Sequence, residues 1–170
     1  EIELVGAESR EYLLREALRS NLPGFDYVLI DCPPGLGLLS LNALVAANAV
    51  LVPLQCEFLA LEGLSHLIKT IERIQKVLNR DLELQGIVLT MFDRRNILSK
   101  SVASDVRDYF GKQVYDTVIP RNVRVSEAPS HGLPVLLYDH QCNGSQAYIR
   151  LAREILRQEA KKQSAQDKKT

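Results

Sequence analysis

The residue best suited to a chemical role is Asp31, which directly follows the apolar run Tyr-Val-Leu-Ile at 27–30. A short apolar run that ends in a carboxylate predicts a buried strand, here 25–30, that delivers one acid to its carboxyl end. Ligands of open α/β sheets bind at that edge. An aspartate fixed there suits the orientation of a Mg²⁺ ion and its waters. A strand-end or helix-capping aspartate is the alternative interpretation of the run alone.

The turn after Asp31 favours the functional interpretation. Its sequence is Pro33-Pro34-Gly35, and Gly37 follows two residues later. Each proline fixes its own φ and restrains the residue before it, so the chain must turn abruptly and stiffly. A carboxylate held firmly beside such a loop is typical of a nucleotide site.

Composition limits the function classes that fit. The chain has 170 residues, 46% of them hydrophobic, which predicts one domain with a single core. Lys plus Arg and Asp plus Glu number 21 each, so any contact with nucleic acid must come from a local patch. No apolar run approaches the roughly 18 residues of a membrane span. The three cysteines are widely spaced and suit a reducing cytosol: Cys32, Cys56 and Cys142.

Strands and helices are predicted to alternate along the chain. Apolar runs predict strands at 25–30, 49–54, 86–91 and 114–119, with a short one at 135–138. Apolar residues at three-to-four spacing predict helices at 8–20, 38–47, 59–78, 99–110 and 145–159. This alternation predicts an α/β domain over 1–160, with a mostly parallel sheet and helices on both faces. Residues 161–170 are predicted to form a disordered polar tail.

Several catalytic motifs are absent from these residues. The sequence contains no G-x-x-x-x-G-K-[ST], no G-x-S-x-G, no H-E-x-x-H and no His-Cys cluster with metal spacing. It therefore supplies one candidate Mg²⁺-orienting acid and no phosphate cradle. A complete hydrolase cannot be assembled from these 170 residues alone.

Five sequence blocks nevertheless match a known pattern in the correct order. They are IDCPPGLGLL with LNAL (30–39, 41–44), VPLQCE with ALEGL (52–57, 60–64), LTMFD (89–93), TVIPRNVRVSEAPSHG (117–132) and Ala147-Tyr148. Together they cover most of the chain as far as residue 158. This pattern resembles the ParA/Soj-type partition ATPases, a deviant Walker A branch of the MinD/ParA superfamily.

The resemblance implies a P-loop NTPase-like three-layer α/β/α fold and an ATPase that uses ATP and Mg²⁺. Proteins of this type form an ATP-sandwich homodimer, bind DNA without sequence preference and segregate chromosomes or plasmids. The implied partner is a ParB/Spo0J-like centromere-binding protein that stimulates hydrolysis. The implied location is the bacterial cytoplasm, associated with the nucleoid and not with a membrane.

The resemblance also assigns residues to the nucleotide site. Asp31 matches the Walker B aspartate, the catalytic acid that holds Mg²⁺ through water. Gly35 and Gly37 match the switch II loop on the γ-phosphate side. The residues that match the adenine-contacting loop are Pro120, Arg121 and Asn122.

Two arginines match DNA-contacting positions of the family, Arg95 and Arg124. Arginines on exposed loops can grip phosphates bidentately, with an affinity that falls steeply with salt. The alternative is a solvated surface where these arginines pair with Asp93 or Glu127.

The chain departs from the family pattern in one respect. The phosphate loop with its signature lysine and the switch I aspartate have no counterpart in these residues, so we expect an N-terminally truncated ATPase domain that is inactive alone. Two other hypotheses stay open. One is a MinD-like, membrane-associated regulator of division-site placement; the other is an interaction module with a dead nucleotide site.

Overall fold

The computed structural model describes residues 4, 6–21, 24–33, 35 and 37–167. Within them lie two strands, β1 (Ala49–Gln55) and β2 (Glu83–Thr90). The helices are α1 (Leu13–Asn21), α2 (Leu38–Ala46), α3 (Ala60–Val77), α4 (Ile97–Phe110), α5 (Val123–Glu127), α6 (Val135–Tyr138) and α7 (Asn143–Asp167). Short 3₁₀ turns follow α4 and α5, at Gly111–Gln113 and Ala128–His131.

The chain divides into two compact units, and each has its own core. The first comprises the described residues up to Leu51 together with Leu64–Gln85. The second comprises Val52–Gly63 and the described residues from Gly86 onward.

Helices α2 and α3 supply most of the first core. Their buried residues pack together with one residue that precedes β2: Leu44, Val45, Ile71, Ile74 and Leu82. The buried Asn79 donates hydrogen bonds from its side chain to the carbonyl oxygens of Leu44 (3.0 Å) and Ala47 (2.8 Å). These bonds satisfy carbonyl groups at the end of α2 that no helical N–H reaches.

The sheet is smaller than the sequence predicted. Strands β1 and β2 are hydrogen-bonded neighbours. The segment 114–120 runs parallel to β2 through two isolated bridges, Ile87 with Val114 and Phe92 with Pro120. The predicted strand at 114–119 is therefore present only as isolated parallel pairing.

The second core is formed by β2, the segment 114–120 and α7. Its buried residues are Val88, Tyr115, Ile119, Ala147 and Leu151. Gly86 permits this packing, because a Cβ at that position would stand 2.5 Å from Cε2 of Tyr115. The close approach of the Tyr115 ring thus requires glycine in β2.

Glu154 on α7 fixes the start of the segment that leads to the candidate adenine loop. Its two carboxylate oxygens accept the backbone N–H groups of Asp116 (2.8 Å) and Thr117 (2.9 Å). We predict that Glu154→Gln lowers the free energy of unfolding by about 1–3 kcal/mol. One of the two backbone N–H groups would then face the NH2 group of glutamine and lose its acceptor. Urea denaturation measures this loss. The matched change Arg157→Gln, on the exposed side of the same helix, should alter stability by less than about 0.5 kcal/mol; equal effects would contradict the prediction.

The predicted strand at 25–30 is wrong. Residues 25–33 have no regular secondary structure, and Phe25 and Leu29 are 71% and 91% exposed. An apolar run becomes a strand only when a neighbouring strand pairs with its backbone and its side chains are covered. The part of the chain that the structure describes provides no strand beside this run. Of the turn that follows, Pro34 lies outside the described residues.

The burial of β1 also differs from the prediction. It was expected to be buried, but Val52 alone is fully buried, and Leu51 is 38% exposed. Five elements agree with their predicted bounds to within three residues: β1, α2, α3, α4 and β2.

Helix α1 begins at Leu13 and not at the predicted residue 8, and two elements of the second unit also differ from the sequence prediction. Residues 135–138 form the helical turn α6 and not a strand, because Leu137 and Tyr138 donate their N–H groups to the carbonyl of Pro134. Helix α7 ends at Asp167, beyond the predicted end at 159, so the expected disordered tail from 161 is helical as far as that residue. Ala, Lys and Gln have high helix propensity, and residues 161–165 are exposed, so the helix extends here without a buried face at 161–165. Residues 168–170 lie outside the described residues.

None of the helices among the described residues has the length and apolar character needed to cross a membrane.

Candidate nucleotide-binding and DNA-binding residues

Asp31 lies on an exposed stretch of the first unit and forms no ion pair within the described residues. The adjacent thiol of Cys32 is close to the carbonyl oxygen of Ile30, at 3.7 Å. Partial burial, and then the negative charge of Asp31, raise the pKa of the Cys32 thiol. The Asp31 carboxylate is therefore accessible and without an ion pair among the described residues, as suits a metal-orienting acid.

The loop after Asp31 leads into the N-terminus of α2. Gly35 has φ +132°, a backbone conformation that side-chain-bearing residues rarely adopt, and a Cβ there would meet open space. Its carbonyl oxygen accepts a hydrogen bond from the hydroxyl of Ser40 at 2.7 Å. Gly37 is the N-cap of α2 in extended backbone, with no side-chain cap and no acidic residue in the first turn. The positive end of α2 is thus uncapped beside a glycine loop, an arrangement that suits an anion.

The predicted adenine loop is a sharp exit from the sheet of the second unit. Pro120 pairs with Phe92, whose carbonyl oxygen accepts the N–H of Arg121 at 3.1 Å. Asn122 is the N-cap of α5: its Oδ1 accepts the N–H groups of Arg124 (2.9 Å) and Val125 (3.4 Å). The amide oxygen of Asn122 is therefore engaged, whereas its Nδ2 group is available to donate a hydrogen bond to a nucleobase.

Gly144 in the first turn of α7 lets α5 approach closely. A Cβ at Gly144 would overlap Cγ2 of Val125 and stand 3.4 Å from Cβ of Asn122. We predict that Gly144→Ala lowers the free energy of unfolding by about 1–3 kcal/mol through overpacking, measured by urea denaturation. Gly63 in α3 is a matched control, since a Cβ there meets nothing within 4 Å. Gly63→Ala should stabilise the protein, by about 0.5–1 kcal/mol. Destabilisation by both changes would contradict this explanation.

Arg95 lies in the turn between β2 and α4. Its side chain is 94% exposed, and its Nε lies 3.7 Å from Oδ1 of Asp93. The same Asp93 oxygen accepts the backbone N–H of Arg95 at 2.9 Å. The alternative pairing with Asp93 is thus present, but an exposed ion pair of this length is worth at most about 1 kcal/mol.

Arg124 lies in the first turn of α5, not in a loop as expected. Its Nη1 donates to Oε2 of Glu127 at 3.0 Å, and its Nε lies 3.5 Å from Oδ2 of Asp139. The hydrogen bond to Glu127 and then the charge of Glu127 raise the pKa of Arg124. The alternative pairing with Glu127 is therefore present as well, with a second acid that the sequence did not indicate.

The predicted residues fall into two groups, one in each unit. Asp31 and the glycine loop belong to the first unit, whereas the adenine loop and the two arginines belong to the second. Among the described residues no group of three or more His, Cys, Asp or Glu side chains could hold a metal. Protein Mg²⁺ sites often use one or two carboxylates, with waters and substrate phosphates completing the shell. Asp31 fits that limited role, so these residues fit part of a Mg²⁺-nucleotide site.

Comparisons with known proteins agree with the matched motifs. A family model described as an AAA domain matches residues 1–84. The chromosome partitioning protein ParA of Caulobacter vibrioides is 62% identical over 167 residues, which are 96% of this chain and 62% of that protein. The chain belongs to the ParA/Soj family. The chromosome-partitioning ATPase Soj of Treponema pallidum is 52% identical over 155 residues, 91% of this chain and 61% of that protein. The chain spans about three fifths of the length of these curated relatives.

A solved structure supports the fold. The cobyrinic acid a,c-diamide synthase of Mycobacterium smegmatis, crystallised with an ATP analog and magnesium, superposes with a TM-score of 0.78 at 38% identity. The likeness covers 92% of this chain and 58% of that one. The predicted α/β class with parallel strand pairing is therefore confirmed.

Sequence reasoning missed two residues near the candidate site and the structural role of a third. The capping role of Asn122 had a signal, since Asn immediately before a helical run is a typical N-cap. Asp139 and Tyr138, whose hydroxyl donates to Oε2 of Glu127 at 3.4 Å, had none. They are more than ten residues from Arg124 and reach it only through the fold.

Proposed function

We propose that the whole protein containing this chain is a ParA/Soj-like ATPase that segregates chromosomes or plasmids. In this proposal, ATP drives dimerisation and non-specific DNA binding, and a ParB-like centromere-binding protein stimulates hydrolysis. The observation that carries the proposal is the exposed carboxylate of Asp31, which has no ion pair among the described residues, near Gly35 and the uncapped end of α2. These are the residues that the family pattern assigns to Mg²⁺ and phosphate.

The residues of the first unit have distinct roles in this proposal. When bound, ATP would supply the phosphoryl group that water attacks, and Mg²⁺ would offset the negative charge of the phosphates. Asp31 would hold such a metal ion through its bound water, by accepting hydrogen bonds from that water. The conformation of Gly35 keeps the loop backbone open to close approach, and the N–H groups at the start of α2 favour negative charge in front of them.

The adenine loop would bind the base through its shape and one donor. Pro120 contributes a rigid apolar ring, and the Nδ2 of Asn122 can donate to a ring nitrogen or carbonyl. Since Oδ1 of Asn122 already caps α5, binding of the base and the position of α5 are linked through one side chain. Arg121 is exposed at this loop and can contact the ribose or phosphates.

Non-specific DNA binding fits the charge pattern. The chain carries 21 basic and 21 acidic residues, so attraction to DNA must be local and weak. Arg95 is almost fully exposed, and a single long ion pair engages it. Contacts to phosphates position a protein without reading sequence, and their affinity falls steeply with salt.

We further propose that the protein acts in the bacterial cytoplasm on the nucleoid, as a homodimer without a membrane partner. The polar end of α7, with Lys161 and Lys162 and no bulky aromatic side chain, supports the last point. The 170-residue chain alone should be inactive, because its sequence contains no phosphate-binding loop.

ATP hydrolysis by the purified whole protein tests the proposal. Hydrolysis should require Mg²⁺ and should rise when DNA and the ParB-like partner are both present. The isolated 170-residue chain should show none and serves as the background. Absence of Mg²⁺-dependent hydrolysis by the whole protein under all of these conditions would overturn the proposed activity.

A further inference from the structure

Both edges of the Arg124 guanidinium are engaged. An arginine grips a phosphate bidentately through two N–H groups on one edge, either Nε with Nη2 or Nη1 with Nη2. In this structure Asp139 lies 3.5 Å from Nε, and Glu127 accepts from Nη1 at 3.0 Å. Each edge therefore has a carboxylate beside one of its two donors.

The second candidate arginine differs in this respect. Arg95 has an acid at Nε alone, at 3.7 Å, and the edge formed by Nη1 and Nη2 faces solvent on a side chain that is 94% exposed. Arg124 is 53% exposed. Of the two candidate arginines, Arg95 is thus the more accessible to a phosphate, whereas Arg124 already contacts two acids.

The acids around Arg124 are themselves held in place. The hydroxyl of Tyr138 donates to Oε2 of Glu127 at 3.4 Å. Oδ1 of Asp139 accepts the backbone N–H groups of Gln141 (3.1 Å) and Cys142 (3.0 Å), which leaves Oδ2 for Arg124. These bonds restrict both carboxylates, so they compete for the guanidinium without a large entropic cost.

We propose that Glu127 and Asp139 compete with DNA phosphates for Arg124 and so limit the affinity of the whole protein for DNA. This inference rests on the proposed function, because it concerns the same DNA contact. One positive and two negative charges meet at this point, so the site repels a phosphate until a carboxylate moves aside. In this proposal Glu127 and Asp139 act on DNA binding only through Arg124, and Arg95 makes the first contact.

Anisotropy of a fluorescent random-sequence duplex tests this competition in the whole protein with saturating ATP and Mg²⁺. Glu127→Gln and Asp139→Asn each remove one negative charge and keep an oxygen acceptor. The control Asp105→Asn removes the same charge from an exposed position on α4. We expect both test variants to bind about 3- to 10-fold more tightly than the control. The slope of log K against log salt should steepen by about 0.9, the value for one added phosphate contact.

A double-mutant cycle ties the effect to Arg124. In an Arg124→Ala background, Glu127→Gln should bind no better than Arg124→Ala with Asp105→Asn. Thermal unfolding checks each variant. If Glu127→Gln fails to fold, Asp139→Asn decides the case, since an asparagine side chain there still accepts the two N–H groups that Asp139 accepts.

The outcomes separate this inference from the proposed function. If the wild-type protein binds DNA with ATP but both test variants match Asp105→Asn, the competition is refuted and the proposed function stands. Weaker binding by both folded test variants also refutes it, because the acids would then support the contact. If neither the wild type nor any variant binds DNA with ATP at low salt, the DNA-binding proposal and this inference fail together.

Discussion

Replacing Asp31 with asparagine is expected to lower ATP hydrolysis by the whole protein about 10- to 100-fold, the usual cost of losing a group that orients a metal shell. The carboxylate is exposed and unpaired among the described residues, so its removal should leave the fold intact. An amide cannot supply the negative charge that holds metal-bound water. Steady-state phosphate release at several Mg²⁺ concentrations measures the effect, and part of the loss should be regained at high Mg²⁺.

Asp26→Asn is the matched control for this change. Asp26 is exposed on the same irregular stretch and loses the same charge. It should retain hydrolysis within about twofold of the wild type, as expected for a surface substitution away from a site. Equal rates for Asp31→Asn and Asp26→Asn would remove Asp31 from the proposed site.

Arg95→Glu is expected to abolish ATP-dependent DNA binding near physiological salt. The change removes the most accessible phosphate donor and places a carboxylate beside Asp93, where it repels the duplex. Arg124→Glu should have the same effect, because it adds a third acid to Glu127 and Asp139. Filter binding of a random-sequence duplex over a salt series measures both.

The control for charge is Arg80→Glu, which makes the same change at an exposed turn of the first unit. Its DNA affinity should fall by no more than the small, long-range effect of net charge. Wild-type binding at low salt by both Arg95→Glu and Arg124→Glu would refute the assignment of these residues to DNA.

Local patterns predicted the helices well. Helix α3 keeps apolar residues at three-to-four spacing, and α2 is mostly apolar, so burial and helical geometry agree within the segment itself. The run at 135–138 contains four apolar residues, too few for periodicity to distinguish a strand from a helical turn. Helix α7 outlasts its apolar stripe, because propensity alone can extend a helix that packing has already nucleated.

The strand predicted at 25–30 shows what a local pattern cannot supply. Its residues are suited to a strand, but a strand exists only with a hydrogen-bonded neighbour, and that depends on other segments. The candidate site is likewise only partly predictable from local sequence. Asp31, the Pro120–Asn122 loop and the pairing of Arg124 with Glu127 were predicted from the sequence, whereas Asp139 beside Arg124 and the close approach at Gly144 come from packing between segments. Spacing along the chain carries no signal for such contacts.

Nucleotide-dependent DNA binding by the wild-type whole protein tests the central claim most directly. The measurement is the Kd for a random-sequence duplex at one salt concentration with ATP and Mg²⁺, with ADP and Mg²⁺, and without nucleotide. A ParA/Soj-like partition ATPase predicts tight binding with ATP, at least about 10-fold weaker binding in the other two conditions, and no dependence on DNA sequence. Equal affinity in all three conditions, or no binding in any, would contradict the account.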